Sequence, residues 1–163
     1  MNSQSLSKID HSALKINQIT LILLNILAFV INAPWLAVVV SIFMLVGVLR
    51  KVPGFGFIYK YALKPWKLVK PEILDDNPEP HRFAQLLGGL FMAFGSIALY
   101  MNAGFLGWGL IWLVVALAAL NVFSGLCVGC AVYYWLVRMN LSGFSKQPPV
   151  GTIPGKRPNR SIE

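Results

Sequence analysis

The chain has 163 residues, of which 56% are hydrophobic and 12% charged, with a mean hydropathy of +0.65 and a formal net charge of +8. A domain of this length cannot hide so much apolar surface in its own core, which excludes an ordinary soluble globular protein and leaves a bilayer to solvate the rest. The basic residues flank apolar segments and no soluble domain presents them to a groove, so the charge reads as membrane topology and nucleic acid is not expected as a partner.

Fifteen mostly polar residues come first, and Pro34 follows the one small-residue position, Ala33, where a leader could be cut, so the first apolar helix is expected to stay uncleaved. The 34 residues between Lys15 and Arg50 carry no charge and are interrupted by Asn32-Ala33-Pro34. A span needs roughly 20 apolar residues, which predicts a hairpin of two short helices over about 16–31 and 35–49. In the segment that follows, Lys60, Lys64 and Lys67 recur at helical spacing among Phe57, Ile58, Tyr61, Leu63, Trp66 and Leu68. One basic and one greasy face is the pattern of a segment lying on anionic headgroups, with Pro65 set to break or restart the helix. The acidic residues Glu72, Asp75, Asp76 and Glu79 then read as a solvated connector between prolines, since carboxylates on a loop do not by themselves define a metal cage. A second charge-free run of 55 residues, Phe83 to Val137, breaks at Met101-Asn102-Ala103-Gly104 and predicts spans over about 83–100 and 105–137.

The expected organisation is an all-α membrane protein of four transmembrane helices. Residues 1–15 form a cytoplasmic segment, 16–49 the first hairpin, 50–82 a cytoplasmic basic and amphipathic loop, 83–138 the second hairpin, and 139–163 a disordered basic cytoplasmic tail. Of 14 Lys and Arg, seven lie from Arg50 to Arg82, five from Arg138 onward and two before the first span, while neither hairpin tip carries one. Cationic loops stay in the cytoplasm, so both termini and the central loop are expected there, in an inner membrane. Trp35, Tyr100, Phe105 and Trp108 mark the outer interface, and Tyr133, Tyr134 and Trp135 the inner one. The hairpins also match internally. Lys15-Ile16-Asn17-Gln18 is echoed by Arg82-Phe83-Ala84-Gln85, and Asn32-Ala33-Pro34-Trp35-Leu36 by Asn102-Ala103-Gly104-Phe105-Leu106, which predicts parallel repeats about an axis along the membrane normal.

Cys127 and Cys130, the only cysteines, form a C-V-G-C inside the second charge-free run. On a helix, residues three apart share a face at a spacing a disulfide tolerates. Two thiolates are alternatively half of a tetrahedral metal site, for which only His11, His81 and the methionines remain as further ligands; no metal or other cofactor is assigned. The 33 residues from Phe105 to Val137 would make a helix of about 50 Å against a hydrocarbon core of about 30 Å. A break near Ser124 and Gly125, with Ser124 capping a final segment over about 125–139, would put Cys127 in a first turn where the dipole favours thiolate. An unbroken helix would leave the thiols inert in apolar surroundings. Gly125 and Gly129 form a Gly-x-x-x-Gly, for which close helix packing is the competing reading. Gln18, Asn25, Gln85, Ser96 and Asn121 read as interhelical hydrogen-bonding groups, and the absence of ionisable groups within the spans argues against a proton relay.

Asp10 before Lys15-Ile16-Asn17-Gln18, Asn77-Pro78 before Arg82-Phe83-Ala84-Gln85, and Phe123-Ser124-Gly125-Leu126-Cys127-Val128-Gly129-Cys130 together resemble the bacterial membrane family called domain of unknown function 4395. The first entry departs mildly, with Lys15-Ile16 where the family tends to Arg-Phe. The resemblance implies four spans and association with thioredoxin-like or rhodanese-like partners. The expected function is therefore thiol–disulfide exchange or sulfur handling with a cytosolic partner, Cys127 attacking and Cys130 resolving. Two alternatives stay open: a small oligomeric permeation unit for a sulfur compound or soft metal, and a structural subunit of a larger membrane complex docking through its glycine faces.

Overall fold

The computed structural model describes residues 7–64, 71–139, 141, 143–144, 146–148 and 151–158. Among them, two short strands, β1 (Ser7–Asp10) and β2 (Ile73–Asp76), pair antiparallel with Ser7 opposite Asp76 and Asp10 opposite Ile73. Each strand feeds directly into a long helix. From β1 the chain enters α1 (His11–Val30), capped by the Asp10 carboxylate, which accepts the Ser12 N–H at 3.0 Å. From β2 it enters α4 (Pro78–Tyr100) through Asn77, with Pro78 at the first helical position, where its missing N–H costs nothing. The two-stranded pairing therefore sets the mouths of α1 and α4 side by side.

Both long helices turn back in the same way. Asn32 and Asn102 adopt left-handed φ values of 48° and 61°. The N–H of Ala33 reaches back to Ala28 O at 2.8 Å, and that of Ala103 to Ala98 O at 2.9 Å. The returning helices are α2 (Pro34–Leu49) and α5 (Gly104–Ser124). A short turn, α3 (Gly56–Ile58), runs into a π-helical turn over Tyr59–Leu63.

Among the described residues, three helices are long and apolar enough to cross a membrane: α1, α4 and α5. At 16 residues, or about 24 Å, α2 is shorter than a full span. The apolar stretch expected to continue from 105 to 137 is interrupted. It leaves its helix at Ser124, makes a left-handed residue at Gly125 (φ 68°) and restarts as α6 (Val128–Arg138).

Leu21, Val40, Met44, Phe55, Met92, Ile111 and Val114 meet in the core, while Phe105, Phe123 and Leu49 point outward, which suits contact with lipid. Polar groups serve the packing. Gln85 Nε2 donates across to Met44 O at 2.8 Å, Ser41 Oγ to Gly89 O at 2.9 Å, and Asn17 Oδ1 accepts the Phe55 N–H at 2.7 Å. Asn25 Nδ2 donates to Leu21 O on its own helix and also reaches Met92 Sδ on α4 at 3.9 Å, while Ser96 bonds the Met92 carbonyl of its own helix. Glycines set the closest approaches. A Cβ on Gly129 would lie 2.6 Å from the Cβ of Ala84, so α6 rests against α4 without room for a methyl group. Gly129→Ala should lower stability by about 1–3 kcal/mol through overpacking. A denaturant titration in detergent micelles reads this directly, and an unchanged midpoint would mean that α6 does not sit on Ala84.

Candidate functional site

The mouths of α1 and α4 and the start of α6 meet at the end of the bundle away from the two Asn-Ala turns. Cys127 is extended (φ −90°, ψ 101°) and is itself the N-cap of α6, its Sγ accepting the Cys130 N–H at 3.2 Å. Ser124 closes α5 rather than capping α6: its hydroxyl bonds back to Leu120 O and accepts the Leu126 N–H at 3.4 Å. The left-handed Gly125 is what lets the chain leave one helix and enter the next within three residues. Cys127 and Cys130 are joined as a disulfide, with α-carbons 5.2 Å apart.

Three residues complete the centre: His11 and His81, which the sequence offers only as further ligands for the cysteines, and Asp76, which it offers as part of a solvated connector. Asp76, at the end of β2, is only 5% exposed. Its Oδ1 accepts the Asn77 N–H at 2.7 Å, and its Oδ2 lies 2.9 Å from His81 Nε2. His11 Nε2 comes to 3.2 Å of the same oxygen, an electrostatic contact out of line for a good hydrogen bond, which is why that nitrogen otherwise has no partner. The other nitrogen of His81, Nδ1, is 3.5 Å from Cys130 Sγ. The two imidazoles meet edge to face with centroids 5.5 Å apart. A carboxylate can only accept, so Nε2 of His81 carries a proton and Nδ1 faces the sulfur, as a lone pair in the neutral ring and as a donor in the imidazolium.

Burial alone would raise the Asp76 carboxyl, but the close imidazole of His11, the hydrogen bond from His81, the charge of His81 and the Asn77 N–H together hold it well below the usual carboxylate range. The acidic stretch is thus not uniformly a solvated connector. Nearby, burial and then the Asp10 carboxylate, which accepts the Tyr59 hydroxyl at 2.7 Å, push the Tyr59 phenol up to about 12. That bond fixes Asp10, and with it the start of α1 and His11.

The tail also takes part. Gly155 O accepts the Cys127 N–H at 2.7 Å, and the Arg157 N–H donates to Gly125 O at 2.9 Å. Arg157 Nη1 lies 3.5 Å from Glu72 Oε2. Residues 151–158, expected within a disordered tail, lie across the α5–α6 junction because backbone groups at the helix break need partners. Gly155 has φ 82°, and a Cβ there would meet Cys127 O at 2.7 Å and the Ala131 Cβ at 2.8 Å.

Between this strap and the titratable cluster is a cavity of about 20 Å³, bordered by His11, Asp76, His81, Cys127, Cys130 and Gly155. A second cavity of about 250 Å³, also bordered by Cys127 and His81, lies between apolar walls that include Leu21, Met44 and Phe91 and the polar side chains of Gln18, Gln85 and Asn121. Neither Lys60 nor Lys64 of the basic segment lines either cavity. Lys60 and Lys64 are exposed, with Lys60 Nζ 5.4 Å from the Tyr61 ring, while Lys67 and Pro65 lie outside the described residues.

An apolar helical bundle with a disulfide centre at one end is the class of protein that these observations define. The chain belongs to the family described as Domain of unknown function (DUF4395), which matches residues 9–138 and is the family that its motifs resemble. No curated protein and no solved structure matches the chain.

The site makes two expectations. Because Asp76 titrates lower in the folded protein than when unfolded, near 3.9, its stabilisation is fully present above about pH 4 and is lost as pH falls through the folded value. Asp76→Asn should therefore cost about 1–3 kcal/mol at neutral pH and flatten the loss of stability on acidification, read by unfolding at a series of pH values. Gly155→Val should displace the strap, so that Cys127 in the reduced protein is alkylated faster than in the parent chain, as followed by maleimide labelling.

Proposed function

We propose that this protein is a membrane thiol–disulfide oxidoreductase whose Cys127–Cys130 pair exchanges electrons with a protein dithiol. The observation that carries this reading is the Asp76–His81–Cys130 chain of contacts at 2.9 and 3.5 Å, ending on a disulfide at a helix N-terminus. A packing motif would have no use for an oriented imidazole on its sulfur. A partner thiolate attacks Cys127 Sγ, the Cys127–Cys130 bond breaks, and its electron pair leaves on Cys130 Sγ, where a protonated His81 Nδ1 supplies the proton. Asp76 stabilises the imidazolium beforehand and keeps the ring turned. The second partner thiol then displaces Cys127, whose thiolate is held by the Cys130 N–H at the head of α6. In sum the partner's two electrons end on Cys127 and Cys130, one of its two protons restores His81 and the other passes to the Cys127 thiolate or to water; the reverse direction uses the same atoms.

The basic residues around this end of the bundle support a cytoplasmic face for the site, in an inner membrane, with both termini on that side. A thioredoxin-like or rhodanese-like protein is then the natural partner, the latter delivering sulfur rather than electrons. The reading also takes α2 as a short fourth span and the two hairpins as a duplicated unit, supported by the shared Asn-Ala turns and by the β1–β2 pairing of their entries.

Trapping separates the roles. Cys130→Ser should accumulate a mixed disulfide through Cys127 with a thioredoxin-like protein, and Cys127→Ser should not. His81→Ala should slow exchange by about 10–100-fold and shift its pH profile. Equal trapping by both cysteine variants, or exchange indifferent to His81, would sink the assignment.

A further inference from the structure

We infer that the reduced pair, together with His81, forms a binding site for a thiophilic divalent cation of the zinc class, closed when the disulfide forms. In a tetrahedral zinc site with bonds of about 2.3 Å to sulfur and about 2.1 Å to nitrogen, adjacent sulfur and nitrogen ligands stand about 3.6 Å apart. Cys130 Sγ and His81 Nδ1 are already 3.5 Å apart. The sulfur of Cys127 lies in the same cluster, with all three ligand atoms within 4.8 Å of one another. Only the two sulfurs must separate, from a bonded distance to an edge of about 3.8 Å, and reduction does that.

Three further features fit an ion better than a disulfide alone. His81 offers Nδ1 to the sulfurs while Asp76 takes its Nε2 proton at 2.9 Å, the carboxylate–histidine arrangement that orients a metal ligand and raises its basicity. The Cys130 N–H points at Cys127 Sγ at 3.2 Å and would stabilise it as the thiolate that coordination requires. The cavity among these side chains, about 20 Å³, has room for one ion or one water and no larger ligand. Two cysteines and one histidine make three protein ligands with one position open, the composition of a reactive rather than a purely structural zinc site. Arg157 borders the cavity, but its guanidinium is turned to Glu72 at 3.5 Å. On binding, the two thiols release two protons and the ion takes their place. Exchange with a disulfide oxidant passes the two electrons of the thiolates to that disulfide, which leaves as two thiols, forms the Cys127–Cys130 bond and expels the ion.

The inference uses the same cysteines as the exchange reading but does not depend on exchange occurring. The test takes the full chain in detergent micelles, reduces it with a phosphine, which carries away oxygen from water and leaves two protons and two electrons on the sulfurs, and removes the phosphine. Zinc chloride is then titrated against a chromophoric chelator, and cobalt(II) is used as an optical reporter. One zinc per reduced chain is expected, with tetrahedral cobalt bands carrying thiolate charge transfer, and none for the oxidised chain. Asp76→Asn should weaken binding by about 10–100-fold. Reoxidation of the loaded sample should release the ion stoichiometrically, a readout on one folded sample that no misfolded variant can mimic. No stoichiometric binding by the reduced chain would overturn the inference. Equal binding by the oxidised chain would overturn it too, because the ion would then belong to His11, Asp76 and His81. Zinc binding without thiol exchange would reject only the exchange reading, and exchange without zinc binding only this one.

Discussion

A carboxylate taken out of water must be held by hydrogen bonds and positive charge, and most of the organisation around this bundle's functional end can be traced to how Asp76 is held. Its partners come from three directions. The backbone N–H of Asn77 is local, His81 belongs to the first turns of α4, and His11 opens α1. Moving either helix mouth by a few ångströms would leave a buried charge with too few contacts, so the β1–β2 pairing that fixes both mouths and the ionic cluster beneath it stabilise each other. His81 transmits this rigidity to Cys130, which is how a residue at the end of a strand comes to control the surroundings of a sulfur on a helix.

The second organising constraint is the length of the last apolar stretch. A helix through all 33 residues from 105 to 137 would overshoot a bilayer, and the chain resolves this with one left-handed glycine. The break leaves the first N–H groups of α6 and the last carbonyls of α5 in need of partners. Cys127 Sγ takes one of the former, and the strap backbone takes the Cys127 N–H and the Gly125 carbonyl. Without the break the cysteines would have sat mid-helix, where no free N–H reaches a sulfur.

The helices were legible because apolar periodicity and charge-free runs are long, and the turns because Asn-Ala twice interrupts them. The break at Gly125 was legible from length alone, although Ser124 looked like its cap. Cysteine capping is rare enough that Cys127 gave no such signal. His11 and His81 were visible only as spare ligands and Asp76 only as a solvated carboxylate, because the three are spread over 70 positions and only the strand pairing brings them together. A signal was nonetheless present, since the chain's two histidines each stand at the opening of a hairpin, on the side to which the charge pattern assigns the cysteines. The strap was the least legible part, because a Pro- and Gly-containing basic tail has the composition of a disordered one, and its order comes from backbone bonds that composition does not encode.

That strap lies beyond residue 138, where the match to the family ends. His11, Asp76, His81, Cys127 and Cys130 all fall inside the matched segment, while Gly155 and Arg157, which cover them, fall outside it. The disulfide centre and the strap over it thus lie on opposite sides of the family boundary, so a chain with the same bundle and another tail would have to find other partners for the Cys127 N–H and the Gly125 carbonyl.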